Sequence, residues 1–391
     1  MAEEKTNWFT VIMLWLAGIA GAMQFAKFSF AFDFLKNQYN VNSLLIGLSL
    51  SVVGLIGLIF GITISIYISR IGQNKILLIS LFFGFIISLV QALNPIFPVM
   101  FFSRILEGIS HLGIVVTAPA IMLLTSSKKH HSIVMGLWGS FFGIAFSITA
   151  YAGEPVMELY SISGLFFFHA LLLLIIFIIL FFLIEKMDIP HNESDKISFL
   201  TAHIKVYSNW RTFSPSMIFF FNSFMYIALL TFLPGLTGDD KTRELLSIAL
   251  PLANIAGTIT AGIVSQYFVS PSKLCIAAYM FLILLICIIK MSFNNNMMFV
   301  PASMVLMMFS GVIQGSVFSL IPNISLSAED QTNANGAVAQ LGNLGSTLGP
   351  PVFSYFLVYG KNSVIVIVML LGILGAVSAM IITRKIKAGK I

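Results

Sequence analysis

Charge is what this 391-residue chain has least of: Asp, Glu, Lys and Arg together make up 9% of it. Soluble domains carry roughly a quarter, because charged side chains are what cover a surface facing water. The shortage excludes a cytosolic enzyme, a secreted module and a disordered segment. Cysteine is nearly absent as well. Cys275 and Cys287 share one apolar run, which implies neither a disulfide framework nor a metal cluster. The pattern G-x-x-x-x-G-K-[ST] does not occur, so no P-loop ties ATP directly to the work of the chain. Hydrophobic residues fill the space, at 58%, with a mean hydropathy of +0.98. The composition is that of an integral membrane protein.

A spanning helix needs about 20 mostly apolar residues. Twelve runs meet that length: 8–32, 44–68, 76–93, 97–125, 131–153, 162–184, 213–235, 244–267, 273–290, 297–325, 332–358 and 362–383. Barrel strands cross in roughly 10 residues with an alternating pattern, so these runs are helices. The first is too long for a signal peptide, and Glu3 and Glu4 spoil a basic leader. With the N-terminus inside, fourteen Lys and Arg fall in cytoplasmic loops and ends and five on the opposite side. That bias places both termini in the cytoplasm. The net charge of +6 is a topology signal and does not point to nucleic acid.

The longest polar stretch, 185–212, reads as a cytoplasmic linker between a bundle over 1–184 and a second over 213–391, with room for a short amphipathic helix. The halves resemble each other. Gly108 to Pro119 in span 4 has the same spacing as Gly311 to Pro322 in span 10, and Gly57 and Gly257 recur in spans 2 and 8. Repeated halves are typical of transporters that bind substrate near the midplane.

Three local motifs carry a family resemblance. The loop between spans 2 and 3 reads Ser65-Ile-Tyr-Ile-Ser69-Arg70-Ile-Gly72-Gln-Asn-Lys75, span 4 holds Arg104-Ile-Leu-Glu107-Gly108, and span 1 holds Gly21-Ala-Met-Gln24-Phe-Ala-Lys27-Phe28. With twelve spans and a central linker, the chain resembles the major facilitator superfamily over essentially its whole length. The resembled patterns are G-x-x-x-D-R-x-G-R-R/K, R-x-x-Q-G and G-x-x-R-F. Ser69 stands where the first has its acid, Glu107 replaces Gln, and Lys27 replaces Arg. The resemblance implies an all-α fold of two pseudo-symmetric six-helix bundles, alternating access, and a gating loop at Arg70, Gly72 and Lys75. The drug-antiporter motif G-x-x-x-G-P-x-x-G-G is not reproduced by Gly136-Leu-Trp-Gly139-Ser-Phe-Phe-Gly143, which weakens a drug-efflux reading.

Ionisable groups inside a bilayer cost roughly 2.5–3.5 kcal/mol each at the helix centre on insertion scales. Span 4 carries three on one face, Arg104, Glu107 and His111, at i, i+3 and i+7. Counting from Phe97 at ~1.5 Å per residue, Arg104 lies about 10 Å in and Glu107 about 15 Å in, close to the midplane. Two readings are open. A self-satisfied Arg104–Glu107 pair locks helices together, or a substrate competes for Arg104 and frees Glu107 to take a proton, with His111 as relay. Lys27, about 28 Å along span 1 from Trp8, either snorkels to the outer interface or joins Arg104 as an anion-attracting group. Gln24, one turn inward, then serves the same ligand. His169 in span 6 reads as a satisfied scaffold residue.

The second half has no matching charges inside its spans. Asn222 and Tyr226 in span 7 and Gln314 in span 10 are the expected substrate contacts, since the resemblance has those spans lining the cavity; interhelical hydrogen bonding is the plainer alternative. The Gly342, Gly345 and Gly349 series before Pro350-Pro351 fits close packing and a kink in span 11.

The expected function is proton-coupled transport of a small organic anion or zwitterion across a bacterial inner membrane. No enzyme activity, cofactor or metal is expected. The partners are a small-molecule substrate, protons and lipid, with a monomer as the working unit. The alternatives are an efflux antiporter for amphipathic compounds or a siderophore, and a non-transporting sensor or assembly factor.

Overall fold

A computed structural model describes residues 5–41, 43–184, 199–237 and 239–388. The described residues form α1 (Trp8–Phe30), α2 (Phe32–Tyr39), α3 (Ser43–Ile71), α4 (Gln73–Ala92), α5 (Phe97–Leu124), α6 (His131–Gly139), α7 (Phe141–Ile184), α8 (Phe199–Ser208), α9 (Trp210–Phe232), α10 (Asp240–Tyr267), α11 (Pro271–Met291), α12 (Asn296–Ile324), α13 (Ala328–Leu357) and α14 (Lys361–Lys387). Among the described residues, eleven stretches are helical, long and apolar enough to cross a membrane. The thirty-residue α13 makes the twelfth long helix and is more polar, with Asn333, Asn335, Gln340 and Asn343 along it.

The expected boundaries need correction at spans 5 and 6. No loop separates them over 154–161: helix runs on through α7 to Ile184, broken only at Ser161, whose φ of 60° is non-helical. A second break, at Ser140, divides α6 from α7 inside the expected span 5. Apolarity located both helices; Glu154, Pro155 and Glu158 read as a break between them, yet the helix continues through all three. Part of the expected linker is α8, the anticipated short helix, while 185–198 lie outside the described residues.

Helix ends follow local chemistry. Asn7 caps α1 by accepting from the Thr10 amide at 3.2 Å. At α13, Ser327 Oγ accepts from the Asp330 amide at 3.1 Å, and Asp330 reaches back to the Leu326 amide at 3.2 Å, a variant of the capping box. Gly72, with φ 96°, is the whole connection between α3 and α4, a conformation that L side chains rarely adopt. Lys75 beside it is exposed, and the side chain of Arg70 lies outside the described residues.

The chain forms two compact units, residues 1–126 with 144–205, and residues 127–143 with 206–391. In the first, α5 packs on α1, α3 and α4. In the second, α9 packs on α13, α10 on α12, α11 on α12 and α14, and α6 against α10 and α12. Glycines set the closeness of these contacts. A Cβ on Gly349 would fall 2.1 Å from the Phe224 carbonyl oxygen, and one on Gly345 2.8 Å from that of Phe220, so the span 11 series is where α13 lies against α9.

Asp239 caps α10, accepting from the Thr242 amide at 3.1 Å and from its hydroxyl. Those bonds, the hydroxyl first, hold the carboxyl below its usual range. The stabilisation is fully present above the unfolded value of about 3.9 and is lost as pH falls through the lower folded one. Asp239→Asn is therefore expected to lower Tm slightly at pH 6, with the gap to the unsubstituted protein narrowing as pH falls below about 3.9. A gap that stays constant across that range rules this account out.

Candidate functional site

The interior of the first unit is not uniformly apolar. One face of α5 presents Ser103, Arg104, Glu107, Ser110 and His111, all buried. Around it stand Gln24 and Lys27 from α1, Ser88 and Gln91 from α4, and His169 from α7, all buried as well. Arg104 and Glu107 have no exposed surface and Lys27 has 1%, which removes the snorkelling reading of Lys27.

Glu107 is the centre. Its Oε2 accepts from Arg104 Nη1 and from Gln91 Nε2, the latter at 2.9 Å. Its Oε1 lies 2.5 Å from Lys27 Nζ. The ammonium also donates to Gln91 Oε1 at 2.7 Å and Ser88 Oγ at 3.0 Å, and stands 3.1 Å from His169 Nδ1. Arg104 bonds further to backbone carbonyls, Nε to Ser49 at 3.0 Å and Nη1 to Gln24 at 2.8 Å, with its guanidinium carbon 3.9 Å from the centre of the Phe28 ring. Its Nη2 has no hydrogen-bond partner.

Two cations therefore share one carboxylate, and one positive charge is left over inside an apolar bundle. A buried charge is costly unless paired and hydrogen-bonded. Arg104–Glu107 is a charge-assisted pair, so the excess is carried by the cluster as a whole. The unpaired edge of the guanidinium, Nη2, is buried within the cluster.

The other expected residues lie around this core or away from it. Gln24 donates through Nε2 to Ser110 Oγ at 3.0 Å, while its Oε1 has no partner. His111 turns to α1: its Nδ1 donates to the Gly21 carbonyl at 2.9 Å and its ring meets Phe25 edge-on, with no hydrogen bond to Glu107. In the second unit, Asn222 Oδ1 accepts from Ser310 Oγ at 2.9 Å and its Nδ2 is unpaired. Tyr226 is buried one turn along. Gln314 Nε2 donates to the Gly139 carbonyl at 2.6 Å, a bond that ties α12 to the end of α6.

Sequence reasoning missed Ser88, Gln91 and the placing of His169. A signal existed for α4: Ser80, Ser88 and Gln91 fall at i, i+8 and i+11, which is one helical face. For His169 there was none, since its partners lie 81 and 142 residues away.

Among its described residues the chain is an all-helical, multi-pass membrane protein with buried charges gathered on one bundle helix. Its sequence matches the Major Facilitator Superfamily model over residues 14–350, and the chain is a member of that family. No curated relative is matched by sequence. Among solved structures it is similar to a substituted form of the E. coli fucose:proton symporter FucP, at 13% identity and a TM-score of 0.74, covering 95% of this chain and 99% of that one. It is similar to the proton:xylose symporter XylE at 12% identity and 0.76, covering 96% and 95%. It is likewise similar to the human organic anion transporter MFSD10 at 16% identity and 0.75, covering 95% and 98%. At these identities the likeness is one of fold.

Proposed function

We propose that this transporter moves a small organic anion or zwitterion, coupled to protons, by alternating access. The observation that carries the reading is the cluster's uneven charge, Lys27 and Arg104 against Glu107, with Arg104 Nη2 unpaired. A substrate carboxylate at Nη2 competes with Glu107 for the guanidinium. Glu107, once released, is free to accept a proton, and His111 serves as its relay after turning from Gly21. The unpaired Gln24 Oε1 accepts from the ammonium of a zwitterion. Asn222, Tyr226 and Gln314 are the proposed hydrogen-bonding groups for an uncharged polar part. Arg70, Gly72 and Lys75 form the proposed gating loop. The proposed setting is a bacterial inner membrane, with cytoplasmic termini, bundles over 1–184 and 213–391, and a monomer as the working unit. Two of the similar structures are titled proton symporters and one an organic anion transporter, which supports the reading by analogy of fold.

Thermal stability of the purified protein against organic anions, zwitterions, siderophores and amphipathic cations tests it. A stabilising hit among small carboxylates is expected, and it should vanish in Arg104→Lys, because an ammonium cannot reproduce the guanidinium fork. Flux of that hit into proteoliposomes carrying a pH dye should then report protons moving with it. A response confined to amphipathic cations would overturn the anion assignment in favour of efflux.

A further inference from the structure

His169 makes two contacts of different kind through its two nitrogens. Nε2 lies 2.9 Å from the Ala20 carbonyl, which can only accept, so Nε2 carries the hydrogen. In the neutral ring Nδ1 is then a bare acceptor. Two donors approach it, Lys27 Nζ at 3.1 Å and Ser88 Oγ at 2.9 Å. A hydrogen on Nδ1 would point at an ammonium, so the tautomer is assigned from both sides of the ring.

The charged groups facing His169 are Lys27 from α1 and Glu107 and Arg104 from α5; from α4 it meets the neutral Ser88. Lys27 has three ammonium hydrogens for four acceptors: Glu107 Oε1 at 2.5 Å, and the neutral Gln91, Ser88 and His169 on α4 and α7. Glu107 takes one, and the neutral groups share the other two, His169 acting directly and through Ser88, whose hydroxyl stands 2.9 Å from Nδ1. Phe166, one turn before His169 on α7, lies with its ring centre 5.2 Å from the same nitrogen.

We infer that His169 is a positioning residue for the charged cluster: its Nδ1 lone pair, with Ser88, holds the Lys27 ammonium against Glu107. This keeps Glu107 shared between two cations and so leaves one guanidinium edge of Arg104 unpaired. The inference rests on the proposed transport role of the cluster only for its consequence; the positioning itself is independent of any ligand.

The two nitrogens allow a decisive test on the full-length purified protein. In His169→Asn the amide oxygen takes the place of Nδ1, whereas in His169→Gln the amide nitrogen reaches the place of Nε2. A residue that merely stitches α7 to α1 is best replaced by Gln. A residue that positions Lys27 is best replaced by Asn. The expected result is a Tm loss of about 2 °C or less for His169→Asn and about 5 °C or more for His169→Gln. In a Lys27→Met background the difference between Asn and Gln should fall to about 1 °C or less, because the group being positioned is gone. A Gln variant at least as stable as Asn, or an Asn–Gln difference unchanged by Lys27→Met, overturns the inference. No ligand enters these measurements. A coupled cycle alongside a carboxylate panel without a hit would therefore uphold the positioning role and reject the anion reading.

Discussion

Glu107→Leu is expected to destabilise the protein by about 3–5 kcal/mol, the range for removing one partner of a buried ion pair. The size follows from the count of charges. Among the described residues Glu107 is the only carboxylate on Arg104 and Lys27, and no atom of Arg104 or Glu107 reaches the surface. Without it two buried cations face each other, served by the carbonyls of Ser49 and Gln24 and by Gln91, Ser88 and His169. The same reasoning predicts a rescue. Adding Lys27→Met restores the net charge of the native cluster, and Arg104 keeps its two carbonyl bonds. The double variant should recover more than half of the loss in thermal or denaturant unfolding. If it is no more stable than Glu107→Leu alone, electrostatic repulsion is not what the carboxylate relieves.

The second large effect is steric and lies in the other unit. A Cβ on Gly257 would sit 1.9 Å from the Met308 carbonyl oxygen, and one on Gly311 2.0 Å from that of Asn254. Both obstacles are backbone, so no side chain can swing aside, and α10 must move away from α12 along its length. Gly315 repeats the contact, at 2.3 Å from the Thr258 oxygen. Lipid supplies no hydrophobic drive between helices, so close packing and small residues carry the association. Gly257→Ala and Gly311→Ala are each expected to cost about 3 kcal/mol or more, at the upper end for overpacking. Gly47 in α3 is the internal control, because a Cβ there meets nothing within 4 Å. Gly47→Ala should be neutral or stabilise by about 0.5–1 kcal/mol, the helix-propensity gain. Equal Tm values for Gly47→Ala and Gly257→Ala would show that α10 and α12 are not in this contact.

Much of the architecture was legible in the order of residues. Scarce charge and long apolar runs determine that the chain enters a membrane as helices, because every backbone group must be bonded within the segment that crosses. Motifs on spans 1 and 4 and the loop at Gly72 were enough to recognise the family that the match over 14–350 shows. The spacing of Arg104, Glu107 and His111 determined that they share a face of α5, since helical periodicity is local. Tertiary structure decided the rest. Whether Lys27 reaches for the interface or turns inward depends on acceptors 61, 64 and 142 residues away. His111 shares a face with Glu107, yet it bonds to Gly21, because the packing of α1 sets that carbonyl 2.9 Å from its Nδ1. His169, scaffold by its surroundings in sequence, meets the cluster because α7 packs where its ring closes the gap between Ala20, Ser88 and Lys27. Apolar patterning is written by neighbours in the chain, whereas the partners of a buried polar group come from other helices, and only their packing names them.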